Sequence, residues 1–356
     1  MTARLFTELQ LGELTLSNRI CVPPMCQFRA EEGLVQSWHK VHYGKLVGSG
    51  AGMVVVEATA VTPEGRITPK CLGLWNDAQQ EAFKSLVQDC RAVAADTKLF
   101  LQLSHAGRKG SRCVPWEGHE TVAAEKGGFS LIAPSALAYD KGYPTPREMT
   151  GDDIERVISA FADAAQRAHK AGFDGVQIHA AHGYLIHQFL SPLSNQRTDE
   201  WGGSLENRMR FGLEVIKAVR ERVPNLAVVL RVSATDWVEG GWDESSTVAF
   251  VRAAKTLGCI GVDVSAGGCS PLQHVPAVRP GYQVCYARDV KRATAMITFA
   301  VGLITDPLQA EAILDAGEAD VICVGREMLR NPHWGWMAAQ ALHALVPFPP
   351  PYLPAF

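Results

Sequence analysis

The sequence is short of the features that mark several classes of protein. Its 356 residues include nine cysteines, at positions 21, 26, 71, 90, 113, 259, 269, 285 and 323, but no Cys-x-x-Cys pair. A structural zinc site or an iron–sulfur cluster therefore has no evident ligand set, and no metal is expected. An odd number of scattered cysteines suits a reducing cytoplasm better than a secreted disulfide framework. Charge of one sign is also lacking. The formal net charge is −3 and only 20% of residues are charged, which leaves no electrostatic footprint for nucleic acid or an anionic membrane. No long apolar segment follows Leu5 and Phe6, so neither a signal peptide nor a membrane span is expected. No Gly-x-Gly-x-x-Gly follows the first strand-like run, which counts against an open doubly wound sheet.

What is present is a rhythm. Apolar residues make up 47% of the chain, enough for a large core. Short runs rich in Val, Ile and Leu occur at 20–22, 53–56, 99–103, 175–178, 227–232, 261–264, 297–301 and 321–324. Nearly continuous apolarity is how a parallel strand buried on both faces reads. Between several of them, the segments 77–95, 152–171, 204–223, 244–257 and 307–316 carry apolar residues at three- and four-residue spacing, as amphipathic helices do. Thr150 is placed to cap one helix, and Gly172 and Gly258 fall where helices should stop. Eight strand–helix units predict a (β/α)8 TIM barrel, one domain over residues 1–346. Two segments break the rhythm. Residues 105–149, after the third strand, form a long insertion of the kind that serves as a functional loop. Residues 347–356 are a Pro-rich tail predicted to be extended.

In such a barrel the chemistry lies at the C-terminal ends of the strands. Polar groups gather there: Cys26 after the first strand, Glu57 and Thr59 after the second, Gln102 and His105 after the third, His179 and His182 after the fourth, and Arg231 in the fifth. His179 and His182 either complete the packing or aim two N–H donors at one oxygen, an arrangement that stabilises developing negative charge. They do not match the His-Glu-x-x-His metal pattern. Tyr184 follows with a phenol that either packs or gives up a proton. Arg231 stands in the run Val-Val-Leu-Arg-Val, and a buried guanidinium needs an anion: a carboxylate or a cofactor. Gly302, Gly325 and Arg326 follow the seventh and eighth strands, where barrels commonly hold phosphate.

Several segments resemble the old yellow enzyme family, in its bacterial subgroup with an active-site cysteine. They are Pro23-Pro24-Met25-Cys26-Gln27, Glu57-Ala58-Thr59-Ala60-Val61, His105-Ala106-Gly107-Arg108-Lys109, His179-Ala180-Ala181-His182-Gly183-Tyr184-Leu185, the run 191–204, and Val324-Gly325-Arg326-Glu327. The resemblance spans about Leu5 to Ala341 and comes nearest to xenobiotic, quinone and enone reductases. It implies non-covalent FMN reduced by NADPH or NADH, and small substrates with activated C=C bonds or nitro groups. His179 and His182 would hold the substrate oxygen and Tyr184 would protonate the α-carbon. Arg231, Gln102 and Ala58 would bond the pyrimidine edge of the flavin. Pro24, Met25 and Cys26 would line its other side, with Cys26 tuning it, and Gly302, Gly325 and Arg326 would take the phosphate. The basic residues Arg108, Lys109 and Arg112 suit a phosphate of the nicotinamide donor. A homo-oligomer, dimer or tetramer, is expected.

Two departures stand out. The subgroup usually has tyrosine where this chain has Phe28 in the substrate pocket. Some relatives send a tail arginine into the neighbouring active site, but the last arginine here is Arg330, leaving Tyr352 or Phe356 for that space. Two other readings compete. One is a non-redox, aldolase-like barrel, which lacks a lysine at a strand end because Lys45 falls on a helix and Lys98 at a strand start. The other is a flavin-binding barrel with little turnover.

Overall fold

All eight apolar runs are strands, and they close on themselves. In the computed structural model, which describes residues 3–118 and 120–355, they are β1 (Ile20–Val22), β2 (Met53–Ala60), β3 (Lys98–Ser104), β4 (Gly175–Ala180), β5 (Ala227–Ser233), β6 (Gly261–Ser265), β7 (Ile297–Ala300) and β8 (Val321–Cys323). Each pairs in parallel with the next, and β8 returns to β1 through Ile322 opposite Ile20 and Cys323 opposite Cys21. This is the predicted (β/α)8 barrel. Alternation along the strands sorts two cores. Cys21, Met53, Val55, Phe100, Val229 and Phe299 fill the barrel interior. Val54, Val56, Leu101, Val176 and Leu230 point outward to the helices. An N-terminal hairpin, Leu9–Leu11 against Leu14–Leu16, places Leu11 and Leu16 in the interior cluster.

The helices are α1 (Ser37–Val47), α2 (Asp77–Val93), α3 (Gly151–Ala171), α4 (Leu185–Leu190), α5 (Leu205–Arg222), α6 (Glu244–Thr256), α7 (Val284–Thr294), α8 (Pro307–Asp315), α9 (Arg326–Arg330) and α10 (Trp334–Ala341). The Thr150 hydroxyl accepts from the Asp153 N–H, and Gly172 closes α3 at φ 95°, as the sequence predicts. The helices α1, α4, α7, α9 and α10 lie outside the helical segments expected from the sequence. α1 shows why: its buried face is His39, His42 and Tyr43 beside Leu46 and Val47, so polar rings stand where the apolar period should appear.

The tail corrects the expectation of an extended chain. Pro350–Ala355 is a 3-10 helix. Proline fixes φ near −65°, which suits a 3-10 turn as well as an extended one. Tyr352 packs its ring edge-on against His333 and Trp336 of this same chain. Phe356 lies outside the described residues. Among the described residues, no helix is long and apolar enough to cross a membrane.

Candidate active site

The turn after β4 carries the sharpest constellation. His179 is buried at the strand end, and its ring lies 5.2 Å from that of His182 and 4.9 Å from that of Tyr184. The turn needs unusual backbone: His182 has φ 59° and Gly183 φ 71°. A side chain on Gly183 would bring its Cβ to 2.2 Å from the Gly268 carbonyl, so only glycine fits there. Three buried groups hold the turn. The Gly183 N–H donates to His187 Nδ1 at 2.9 Å, and the far ring nitrogen of His187 lies 2.9 Å from Asp236. Asp236 also accepts from Ser191 Oγ and the Trp242 N–H, and Gln188 donates to the Gly183 carbonyl.

Burial, reinforced by Arg231, depresses the pKa of both His179 and His182 well below the ordinary imidazole value, so both are neutral at physiological pH. His179 Nδ1 accepts from the Ala181 N–H, which leaves the proton on Nε2, free to donate. His182 Nε2 lies 2.8 Å from Ser265 Oγ, so its other ring nitrogen is the one left for a ligand. Burial likewise pushes the Tyr184 phenol up, keeping it protonated. The Lys109 ammonium sits 5.3 Å from the centroid of the Tyr184 ring, with its pKa lowered to about 8 by burial.

The basic loop differs from expectation. Arg108 is buried and donates to the Cys269 carbonyl at 2.9 Å, while Lys109 donates to the carbonyls of His182 and Gly268. Both brace loops beside the site, so most of their donors go to these carbonyls instead of forming an open basic patch. Arg112 stacks on Tyr143 at 3.8 Å.

Arg231 finds the partner its burial demands. Its Nε lies 3.1 Å from Asp263 Oδ2 on the adjacent strand β6. That oxygen also accepts from Gln177 Nε2 at 3.2 Å, and Gln177 Oε1 accepts from Gln102 Nε2 at 2.7 Å. Gln177 and Asp263 escape a reading by sequence. The only signal is a polar residue at an alternate position of an otherwise apolar strand.

Cys26 stands on the turn after β1, half-buried, and burial with the nearby Cys71 and Glu57 pushes its thiol pKa up. β2 has a bulge between Val56 and Thr59, and bulges re-aim side chains next to sites. Here the bulge frees Glu57. The Glu57 carboxylate accepts from the Gln27 N–H at 2.8 Å and from Tyr43 at 3.1 Å, and so ties the Cys26 turn to α1. Burial raises its pKa to about 7. Phe28 ends the turn at φ 51°. Trp116 from the long insertion meets it edge-on at 6.1 Å, and Arg29 lies between Trp116 and Trp38. Pro24 and Met25 are half-buried on the same turn.

On the far side, a cavity of about 170 Å³ is bordered by Ser265, Gln283, Gly302, Thr305, Gly325 and Arg326. Gly302 has φ 129°, and a Cβ there would come within 3.2 Å of Gln283. Arg326 is exposed at the first residue of α9. These residues fit a flavin mononucleotide. Two glycines and an arginine border the small cavity, and the buried amides of Gln102 and Gln177 meet the Arg231–Asp263 pair in the barrel wall.

Comparison with known proteins agrees. Residues 4–344 match the model of the NADH:flavin oxidoreductase / NADH oxidase family. The chain is 44% identical to an NADPH dehydrogenase of Geobacillus thermodenitrificans over 354 residues, covering 99% of this chain and 98% of that protein. It is 42% identical to an NADPH dehydrogenase of Bacillus subtilis over 355 residues, covering 99% of each. The solved structure of morphinone reductase superposes with a TM-score of 0.80 at 29% identity, over 99% of this chain and 92% of that one. The chain belongs to the NADH:flavin oxidoreductase / NADH oxidase family, as its likeness to the old yellow enzymes implies, and is an oxidoreductase that works with FMN and a reduced nicotinamide.

Proposed function

We propose that this enzyme reduces activated C=C bonds in enones, enals, quinones and maleimides, and reduces nitro compounds, with hydride drawn from NADPH or NADH. The observation that carries the reading is the His179–His182–Tyr184 cluster, with both imidazoles held neutral and the phenol held protonated. A bound flavin would supply the hydride that adds to the β-carbon of the substrate. His179 and His182 bind the substrate's carbonyl or nitro oxygen and stabilise the charge that develops there. Tyr184 delivers the proton to the α-carbon. Arg231, Gln102 and Ala58 would address the pyrimidine edge, Pro24 and Met25 would line the ring, and Gly302, Gly325 and Arg326 would take the phosphate. Phe28 and Trp116 wall the substrate side with apolar surface. The enzyme works in the cytoplasm, as a dimer or tetramer for which the exposed Leu345, Tyr352 and Leu353 offer apolar surface.

The purified protein should be yellow and release FMN on heating, and should oxidise NADPH when cyclohexenone is added. Colourless protein that gains no flavin absorbance on incubation with FMN overturns the reading, as does a flavin-loaded protein inert toward every enone and quinone tested.

Cys26 provides a second test. A thiol is a weak hydrogen-bond partner, serine a stronger one and alanine none. A differential of about 1 kcal/mol between oxidised and reduced flavin, typical of one hydrogen bond, corresponds to roughly 20 mV for a two-electron couple. Potentiometric titration of Cys26→Ser and Cys26→Ala should show shifts of this size. Unchanged potentials with turnover lost would make Cys26 a nucleophile instead.

A further inference from the structure

Among the described residues, Asp263 is the acid that pairs with Arg231 in the barrel wall. The two are register partners on β6 and β5, with side chains 1% and 9% exposed. Arg231 is the residue assigned above to the polar edge of the flavin. The same carboxylate oxygen of Asp263 takes the Gln177 amide, and Gln177 takes that of Gln102, the second residue assigned to that edge. A neutral amide at position 263 would still offer an oxygen to Arg231 and Gln177. The carboxylate adds only charge, and its other oxygen, Oδ1, has no hydrogen-bond partner among the described residues. Burying a carboxylate with an unsatisfied oxygen is costly, and a buried ion pair is weak evidence for a stabilising role. Burial pushes the Asp263 carboxyl up while Arg231 draws it back toward ionisation.

We propose that Asp263 is the countercharge that partly cancels Arg231 and so sets how strongly the barrel wall favours reduced over oxidised flavin. The inference rests on the reading that Arg231 faces the pyrimidine edge. Reduction puts negative charge at that edge. An uncompensated guanidinium in a site of low dielectric would stabilise the reduced form strongly. Such a flavin would accept hydride from the nicotinamide readily and hold it back from the enone. Asp263 moderates the attraction, and the Gln177–Gln102 amides carry its orientation to the second flavin contact. Asp263 touches neither substrate nor ring in this account. It is a positioning and tuning residue.

The test is the midpoint potential of the bound flavin in the holoenzyme, with the FMN dissociation constant measured alongside. Asp263→Asn should favour the reduced form at least tenfold, a positive shift of about 30 mV for a two-electron couple. Reoxidation by cyclohexenone should slow while reduction by NADPH does not. Asp263→Glu, which restores the charge, should return the potential toward that of the native enzyme. If Asp263→Asn fails to hold flavin, Gln177→Glu serves instead: an added carboxylate on the same chain should move the potential the opposite way. Arg231→Lys separates the two layers of the argument. Movement of the potential or FMN affinity in Arg231→Lys, with no movement in Asp263→Asn or Gln177→Glu, overturns the countercharge alone. No movement in any of the variants overturns the placement of Arg231 as well.

Discussion

Tyr184→Phe should slow reoxidation of the reduced enzyme by cyclohexenone by roughly 10²–10⁴, the usual worth of general acid catalysis, and leave reduction by NADPH nearly unchanged. The substitution deletes one hydroxyl and nothing else. The ring contact with His179 at 4.9 Å and the Lys109 ammonium over the ring survive it. Burial holds the phenol well above its ordinary pKa, so the acid form is present throughout the neutral range. The reoxidation rate of the native enzyme should therefore show no loss between pH 6 and 9 attributable to the phenol. A quinone should suffer less than an enone in the variant, because water can protonate its oxygens. Stopped-flow measurement of the two half-reactions checks this directly. Equal slowing of both would mean that Tyr184 holds the site together and does not deliver the proton.

Replacing both His179 and His182 by alanine should abolish the long-wavelength charge-transfer band that phenolates give over the oxidised flavin, while FMN stays bound. Loss of each donor should cost on the order of 10²–10³ in reoxidation rate, as for other donors to a developing oxyanion. The two imidazoles are depressed bases, held neutral by burial and by Arg231. Above their lowered pKa values they are neutral, so phenol affinity between pH 5 and 8 should follow the ionisation of the phenol. No step should appear near the ordinary imidazole pKa, about 6.5. Spectral titration of a phenol against native and double-alanine enzyme decides the matter. Undiminished phenol affinity in the double variant would assign the pair to structure.

Much of the barrel was legible because its strands are buried on both faces. Met53–Val56 and Ala227–Val232 are apolar almost without break, and no water-facing alternation dilutes the signal. The Thr150 cap and the Gly172 stop are local chemistry, settled within a few residues, and both stand as read. α1 is not legible because its buried face is built from His39, His42 and Tyr43, and two of these, His39 and Tyr43, meet the buried Glu57 carboxylate from the distant strand β2. The tail shows the converse limit. Its prolines fix φ, yet ψ was chosen by packing of Tyr352 against His333 and Trp336.

The candidate site divides along the same line. His179, His182 and Tyr184 lie within one turn, so their convergence follows from the order of residues once β4 is placed. Arg108 and Lys109 are just as visible in sequence, but the carbonyls of Cys269, His182 and Gly268 claim them, and that is decided more than 70 positions away. Arg231 interrupts an apolar strand, and so it could be seen from sequence alone to need an anion. Its partner is fixed only when β6 closes against β5 in register, because the pairing of Asp263 with Arg231, and of Gln177 with Asp263 across 86 positions, is a property of the closed barrel and of no single segment.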